Sequence, residues 1–290
     1  MGESAVKPQK SPKKHGGMKN AKVQWGRKDT LKTFGAILLM CAWVFISVVA
    51  VEFIVSGIMY LILRENFNQP VWTAVYSAVV YLLALFLIIF VPPKIKVKWQ
   101  IGRVRSGKGH KFAGESTAKQ PTKADLGIDK EVTWTDILLS PVAYVVATLL
   151  AAALIAIFSN FAWFNAGEAQ STGFGVYMNA PERLIAFFTL VVAAPVAEEL
   201  IFRGWLYDKI RTRLSLRVPE WAGVIISILI VSVLFGIVHM QWNVGVNVFA
   251  LSVILCLLRE VTGSIYAGIF THMIKNAVAF YLLYIIGFGA

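Results

Sequence analysis

Two adjacent carboxylates, Glu198 and Glu199, lie inside an apolar stretch that is long enough to span a bilayer. Arg203 follows one helical turn later in the same stretch. A charged side chain in hydrocarbon costs about 2.5 kcal/mol or more, so it marks a functional site unless another reason is found. A carboxylate held where water is scarce suits a general base that takes a proton and later returns it. The pair therefore predicts acid–base chemistry inside a membrane.

The spacing of these three residues has a helical meaning. Glu199 and Arg203 are four residues apart, so they share a helix face and can form an ion pair that keeps Glu199 ionised. Glu198 points about 100° away from its neighbour and is free to face another helix.

Further polar groups follow on the later spans, in the patterns Phe235-x-x-x-His239 and His272-x-x-x-Asn276. Because residues four apart share a helix face, Phe235 is predicted to pack beneath the His239 imidazole. By the same rule His272 and Asn276 enter the bundle on one stripe. A lone histidine in an apolar helix is usually a core residue, but this combination favours a site.

The elements that must position these residues are apolar helices. The chain has 290 residues, of which 57% are hydrophobic, and its mean hydropathy is +0.66. Several apolar runs approach or exceed the roughly 20 residues that a spanning helix needs. We predict an all-α polytopic transmembrane bundle of about seven spans. The spans are expected at about 34–63, 71–91, 137–158, 182–206, 221–239, 244–258 and 265–290.

The charge of +12 is concentrated outside these spans. The predicted organisation is a basic tail (1–33), two N-terminal helices (34–91), a basic loop (92–136) and a core (137–290). Basic segments beside membrane spans follow the positive-inside rule, so the N-terminus is expected in the cytoplasm of a multi-pass plasma-membrane protein. The expected partners are membrane lipids, through their anionic headgroups, and not nucleic acid.

The three patterns, EExxxR, FxxxH and HxxxN, occur in order on successive spans. They resemble the CPBP or Abi family of intramembrane proteases, which includes the type II CAAX prenyl proteases. The segment ADLGIDK before the third span also looks like this family, so the resemblance covers about residues 124–285. It implies a conical or tunnel-like active-site cavity and hydrolysis of a membrane-associated protein or peptide, which is prenylated for the CAAX proteases proper.

The resemblance also implies catalytic roles for Glu198, Glu199, Arg203, His239, His272 and Asn276. Glu198 would activate a water for attack on a peptide carbonyl, and His239 would help to hold that water. His272 and Asn276 would donate hydrogen bonds to the developing oxyanion. The ion pair beside them would brace the site.

A rival chemistry uses the same side chains. Glu198, His239 and His272 could ligate Zn²⁺ and leave a fourth position for water. The family is often called a metalloprotease family, although a metal-free glutamate mechanism is also argued for it. The sequence has no HExxH motif to favour zinc.

Two other functions remain open on the sequence alone. A non-enzymatic membrane scaffold or bacteriocin-immunity-type protein could keep the same fold, although a scaffold has no need for every polar group. A transporter could use membrane carboxylates and histidines as a proton relay. Against a transporter, the polar residues cluster in the C-terminal half, with no matching set in the N-terminal half.

The carboxylates and histidines can form one site only if they lie at the same depth in the membrane, and this requires two features of the helices. The fourth span must stay helical beyond Leu206, and a short sixth span would let the turn before His272 lie within the bundle. Pro195 is expected to kink the fourth span and free backbone carbonyls.

The sequence also allows predictions for three glycines near the site and for two charged residues inside the spans. Gly204, Gly236 and Gly268 could allow close helix approach near the site. Glu52 and Lys275 are interpreted as structural, with Lys275 either reaching a lipid interface or pairing with a carboxylate.

Overall fold

A computed structural model describes residues 27–64, 69–92, 121–168, 172–175, 178–215 and 217–287. Most of the predicted basic tail and of the 92–136 loop lies outside the described residues. The predictions for those segments therefore stay predictions.

Helices are the regular elements of the described part of the chain, and seven of them are long and apolar enough to cross a membrane. The predicted all-α bundle of seven spans is confirmed. One short helix, α3, precedes the third span. The elements are α1 (Arg27–Leu63), α2 (Pro70–Phe90), α3 (Lys123–Leu126), α4 (Trp134–Phe158), α5 (Ala180–Ser215), α6 (Glu220–Ile237), α7 (Trp242–Thr262) and α8 (Tyr266–Ile286).

Helix α7 lies at the centre of the bundle. It packs against α4 and α6, and α8 packs against both α4 and α7. The helices α1 and α2 form a hairpin, and α2 contacts the first half of α5. Large apolar side chains such as Phe53, Leu138 and Leu149 are exposed on the outer faces, as a lipid-facing surface requires. The chain is a multi-pass membrane protein.

Side chains that cap the backbone define where two of the spans begin. The Thr133 hydroxyl accepts a hydrogen bond from the Asp136 amide, and the Asp136 carboxylate accepts one from the Thr133 amide. The third span thus begins at Trp134, slightly before the predicted residue 137. Asn179 and Glu182 form the same reciprocal pair at the start of α5.

The fourth span, α5, is 36 residues long and continues helically past Leu206, as predicted. The prediction of a short sixth span was wrong, because α7 has 21 residues and runs to Thr262. The end of α7 instead lies beside the middle of the second half of α5: Glu260 accepts hydrogen bonds from Tyr207 at 2.7 Å and from Arg211 at 2.9 Å. The end of α5 therefore projects beyond the turn that leads into α8.

The α3 segment covers that turn. The Ile265 amide donates to the Gly127 carbonyl at 3.1 Å, and Lys130 donates to the Thr262 carbonyl at 2.7 Å. Gly127 has a left-handed backbone (φ 69°), and a Cβ there would overlap the Arg259 guanidinium. The same segment touches α5, because a Cβ on Gly204 would lie 3.0 Å from the Leu126 carbonyl oxygen.

Close backbone contact between α6 and α7 depends on two glycines. A Cβ added to Gly236 would lie 2.8 Å from the carbonyl oxygen of Gly245, and a Cβ on Gly245 would lie 3.0 Å from the carbonyl oxygen of Gly236. The expectation that Gly204 and Gly236 permit close helix approach is met at both positions.

We predict that Gly236→Ala lowers stability by about 1–3 kcal/mol, because backbone atoms of α7 must move to admit the methyl group. Thermal unfolding of the purified protein in detergent checks this. Gly57→Ala in α1 is the matched control, since nothing lies within 4 Å of its added Cβ and alanine favours a helix. Equal midpoints for the two variants would contradict the close contact.

Candidate active site

The ion pair between Glu199 and Arg203 is buried completely. Arg203 Nη1 lies 2.9 Å from Glu199 Oε1, and both side chains are 0% exposed. The Arg203 guanidinium also lies 4.5 Å from the centre of the Phe235 ring, which gives the charge an aromatic face. The predicted pairing is present, one helical turn apart on α5.

His272 joins this pair to the second glutamate. Its Nδ1 lies 3.1 Å from Glu199 Oε1, and its Nε2 lies 3.7 Å from Glu198 Oε2. The first distance is a hydrogen bond, which the imidazole N–H donates to the carboxylate, whereas the second is too long for one. The ring therefore contacts Glu199 and faces Glu198 across a small gap.

The two glutamates differ in accessibility. The side chain of Glu199 is 0% exposed, whereas that of Glu198 is 20% exposed. Glu198 is thus the carboxylate that a water or substrate can reach, as its direction on the helix predicts.

His239 lies in the turn after α6, because the helix ends at Ile237 and not at His239 as expected. Its Nδ1 donates a hydrogen bond to the Phe235 carbonyl at 2.7 Å, which leaves Nε2 as the acceptor. Burial lowers the pKa of the His239 imidazole, so it is neutral near pH 7. The Phe235 ring packs against both imidazoles, with centroid distances of 5.0 Å to His239 and 5.9 Å to His272. The predicted packing of Phe235 is confirmed.

Asn276 contacts the backbone of α5. Its Nδ2 donates to the Leu190 carbonyl at 2.8 Å. Leu190 lies in a π-helical turn, Phe188–Ala193, where the Leu190 carbonyl would normally accept from the amide five residues later. That residue is Pro195, which has no N–H. Asn276 therefore satisfies a carbonyl that the proline leaves free, in line with the expected effect of Pro195.

The backbone of α8 comes close to the buried carboxylate. A Cβ on Gly268 would lie 3.0 Å from Glu199 Oε2, so the third glycine also allows close approach. Any larger residue here would displace Glu199 or push α8 away from α5.

Two residues that were not predicted to belong to the site also interact with Glu198. Tyr81 of α2 and Lys275 of α8 are both close enough for an electrostatic interaction with the Glu198 carboxylate. Lys275 could have been found as a charge inside a span. Tyr81 belongs to no spacing pattern, because its partner lies far away in the sequence. Glu52 lies on the exposed face of α1, and its interpretation as structural stays a prediction.

The side chains that the sequence offers to zinc are not gathered into a metal-binding group. The Nδ1 atoms of His272 and His239 donate to Glu199 and to the Phe235 carbonyl, which leaves their Nε2 atoms as the nitrogens that a metal would use. Among the residues that the structure describes, however, no three His, Cys, Asp or Glu side chains lie close enough together to hold a metal.

Comparison with known proteins gives one family. Residues 180–278 match the family model described as type II CAAX prenyl endopeptidase Rce1-like. The resemblance to the CAAX proteases is thus confirmed. The match covers α5 to α7 and most of α8, and it contains all three motifs; the ADLGIDK segment lies outside it. No curated protein and no solved structure matches the chain.

We predict that Arg203→Met in this CAAX-protease-like protein lowers the free energy of unfolding by about 3–5 kcal/mol, because Glu199 keeps a buried charge that loses its cation. The double variant Glu199→Gln/Arg203→Met should recover much of this loss, since no unpaired charge remains. Unfolding in detergent, monitored by circular dichroism, measures both.

The control for this prediction is Lys209→Met, which removes a partly exposed ion pair with Asp208 and should change stability by at most about 1 kcal/mol. An Arg203→Met protein as stable as the control would refute the assigned importance of the buried pair.

Proposed function

We propose that the protein is an intramembrane endopeptidase in which Glu198 activates a water for attack on a peptide bond. One observation carries the proposal: the partly accessible Glu198 Oε2 faces His272 Nε2 at 3.7 Å, beside a fully buried Glu199–Arg203 pair. Because Glu198 Oε2 and His272 Nε2 are 3.7 Å apart, a water oxygen can lie about 2.8 Å from both of them and form a hydrogen bond with each.

Hydrogen-bond directions favour such a water as a nucleophile. Because the His272 Nδ1–H is donated to Glu199, the neutral ring presents a lone pair at Nε2. The water can then donate one hydrogen to Nε2 and the other to Glu198, which leaves an oxygen lone pair free to attack.

The reaction then proceeds by proton transfer through Glu198. The carboxylate accepts a proton as the water oxygen bonds to the peptide carbon, and it returns that proton to the amine as the carbon–nitrogen bond breaks. Asn276 has a second amide hydrogen beyond the one given to Leu190, and we assign it to the oxyanion. In this tautomer His272 orients the water and does not donate to the oxyanion. His239, with a free Nε2, remains a second candidate for holding the water.

The proposed substrate is a membrane-associated protein or peptide. The description of the matched family names prenyl substrates, and we extend to this chain a lipid-anchored peptide as the first substrate to test.

The proposed orientation has a cytoplasmic N-terminus in the plasma membrane. Basic side chains collect at one end of the bundle, where Lys130, Arg211 and Arg259 lie around the end of α7. At the opposite end, residues 159–168 contain no Lys or Arg. This asymmetry supports the basic end as the cytoplasmic one.

We predict that Glu198→Gln reduces cleavage by about 10²- to 10⁴-fold, since the amide cannot act as a general base. The measurement is cleavage of a membrane-tethered peptide library, prenylated and unprenylated, by purified protein in vesicles. Glu182→Gln is the matched control on the same helix, because glutamine can replace glutamate in its capping role.

Repeating the cleavage assay with a strong chelator distinguishes the glutamate mechanism from a metal-dependent one. Wild-type cleavage that persists with a strong chelator supports the glutamate mechanism, and cleavage that is lost with it supports a metal. Failure of the wild type to cleave any library member would favour the scaffold or immunity function.

A further inference from the structure

We propose that a groove on the outside of the bundle binds one acyl chain of a membrane phospholipid as a structural lipid. The groove lies between α4, α6 and α7 and has a volume of about 600 Å³. This volume is within the range of about 300–1,000 Å³ that sites for small molecules have. Neither glutamate and neither histidine of the candidate active site lines the groove, so the proposal does not depend on the endopeptidase activity.

The packing of three helices creates this groove. Helices α4 and α6 both pack against α7, whereas these two described helices make at most marginal contact with each other. Gly236 of α6 and Gly245 of α7 line the gap, and neither contributes a side chain that would fill it. Leu154 and Phe158 of α4 form the opposite wall. The space between α4 and α6 is therefore left open over the surface of α7.

The lining of the groove is unsuitable for water. Most of it is aliphatic or aromatic, as at Val246 and Phe249 of α7. A buried water needs about two to four polar partners. Gln241 is the lining residue with a side-chain amide, and that amide is directed to the Glu168 carbonyl at 3.5 Å. An empty groove, in turn, would forfeit the dispersion contacts of its walls.

The position of the groove identifies its occupant as a lipid chain. All three helices that form it are long and apolar enough to cross a membrane. The wall residues Val233 and Ile237 are 49% and 50% exposed, so the groove continues into the lipid-facing surface. The hydrocarbon region of a bilayer holds no water, and acyl chains are the molecules that are present there to fill an apolar gap.

An aromatic cluster marks the end of the groove that is nearest the headgroups. The Trp163 ring centre lies 6.0 Å from that of Phe158 and 5.3 Å from that of Trp242, and the last two residues line the groove. Tryptophan is enriched at membrane–water interfaces. The Asn243 amide donates to the Glu168 carbonyl at 2.6 Å, which ties the loop that carries Trp163 to this end. A phospholipid can thus keep its headgroup beside the cluster while its chain follows α7 toward the bilayer centre.

The test is Val246→Phe, which places a ring on the floor of the groove. The matched control is Val145→Phe on α4, because Val145 is 54% exposed and does not line the groove. Native mass spectrometry of the full chain in detergent with added phosphatidylcholine should show one retained phospholipid on the wild type and on the control. Overpacking should lower this occupancy about tenfold or more in Val246→Phe. The same lipid should raise the thermal unfolding midpoint of the wild type and the control but not that of Val246→Phe.

A second readout does not require the filled groove to fold. Phosphatidylcholine with acyl chains brominated near the carbonyl end is titrated into wild-type protein in detergent, and tryptophan fluorescence is followed. Trp242 and Trp221 have almost equal exposure, 67% and 69%, and their contributions are obtained from Trp242→Phe and Trp221→Phe. Quenching of Trp242 should saturate near one lipid per protein, whereas quenching of Trp221 should rise in proportion to the lipid content of the micelle.

Three results would overturn the proposal. The first is proportional quenching of both tryptophans, and the second is equal phospholipid occupancy in the wild type, Val246→Phe and Val145→Phe. The third is a dimer without bound phospholipid, because a second copy of the chain would then cover the groove. Each of these results is independent of whether the protein cleaves a peptide.

Discussion

The complete burial of the Glu199–Arg203 ion pair is the constraint on which the rest of the site depends. Two opposite charges that are 0% exposed need a close geometry, because the cost of removing each from water is recovered only by good pairing. The absence of a side chain at Gly268 lets α8 approach Glu199, and the Phe235 ring covers Arg203. His272 takes its orientation from the same carboxylate, so the side of the imidazole that faces Glu198 is set by a fully buried ion pair.

The backbone of α5 is adapted to carry this pair. The Glu pair ends a short α-helical stretch, Ala194–Glu199, that lies between two π-helical segments. Such segments alter the angle at which successive side chains leave a helix, and they are frequent at functional sites. Pro195 frees the Leu190 carbonyl and Asn276 binds it, so α5 and α8 are fastened beside the carboxylates by a side chain-to-backbone hydrogen bond.

The sequence was sufficient to predict the features that depend on residue spacing within one helix. The seven spans, the pairing of Glu199 with Arg203 and the packing of Phe235 under His239 all follow from residues four apart or from apolar runs. Tertiary contacts could not be obtained in this way: the Leu190 carbonyl bound by Asn276 has no side-chain signature, and Glu260 accepts a hydrogen bond from Tyr207 of a different span. The sixth span was expected to end at residue 258, before the charged Arg259 and Glu260, whereas both side chains pair with neighbouring elements and remain helical.

The length of α5 has a consequence for how the protein would sit in different membranes. Its 36 residues correspond to about 54 Å, well beyond the roughly 30 Å of a bilayer's hydrocarbon core. The basic end of α5 must therefore stand among or beyond the headgroups, and Glu198, near the middle of the helix, takes its depth from where that end is anchored. Under the proposed function, bilayer thickness becomes a variable of substrate selection: a thicker membrane would bring a different stretch of an anchored peptide level with the carboxylate.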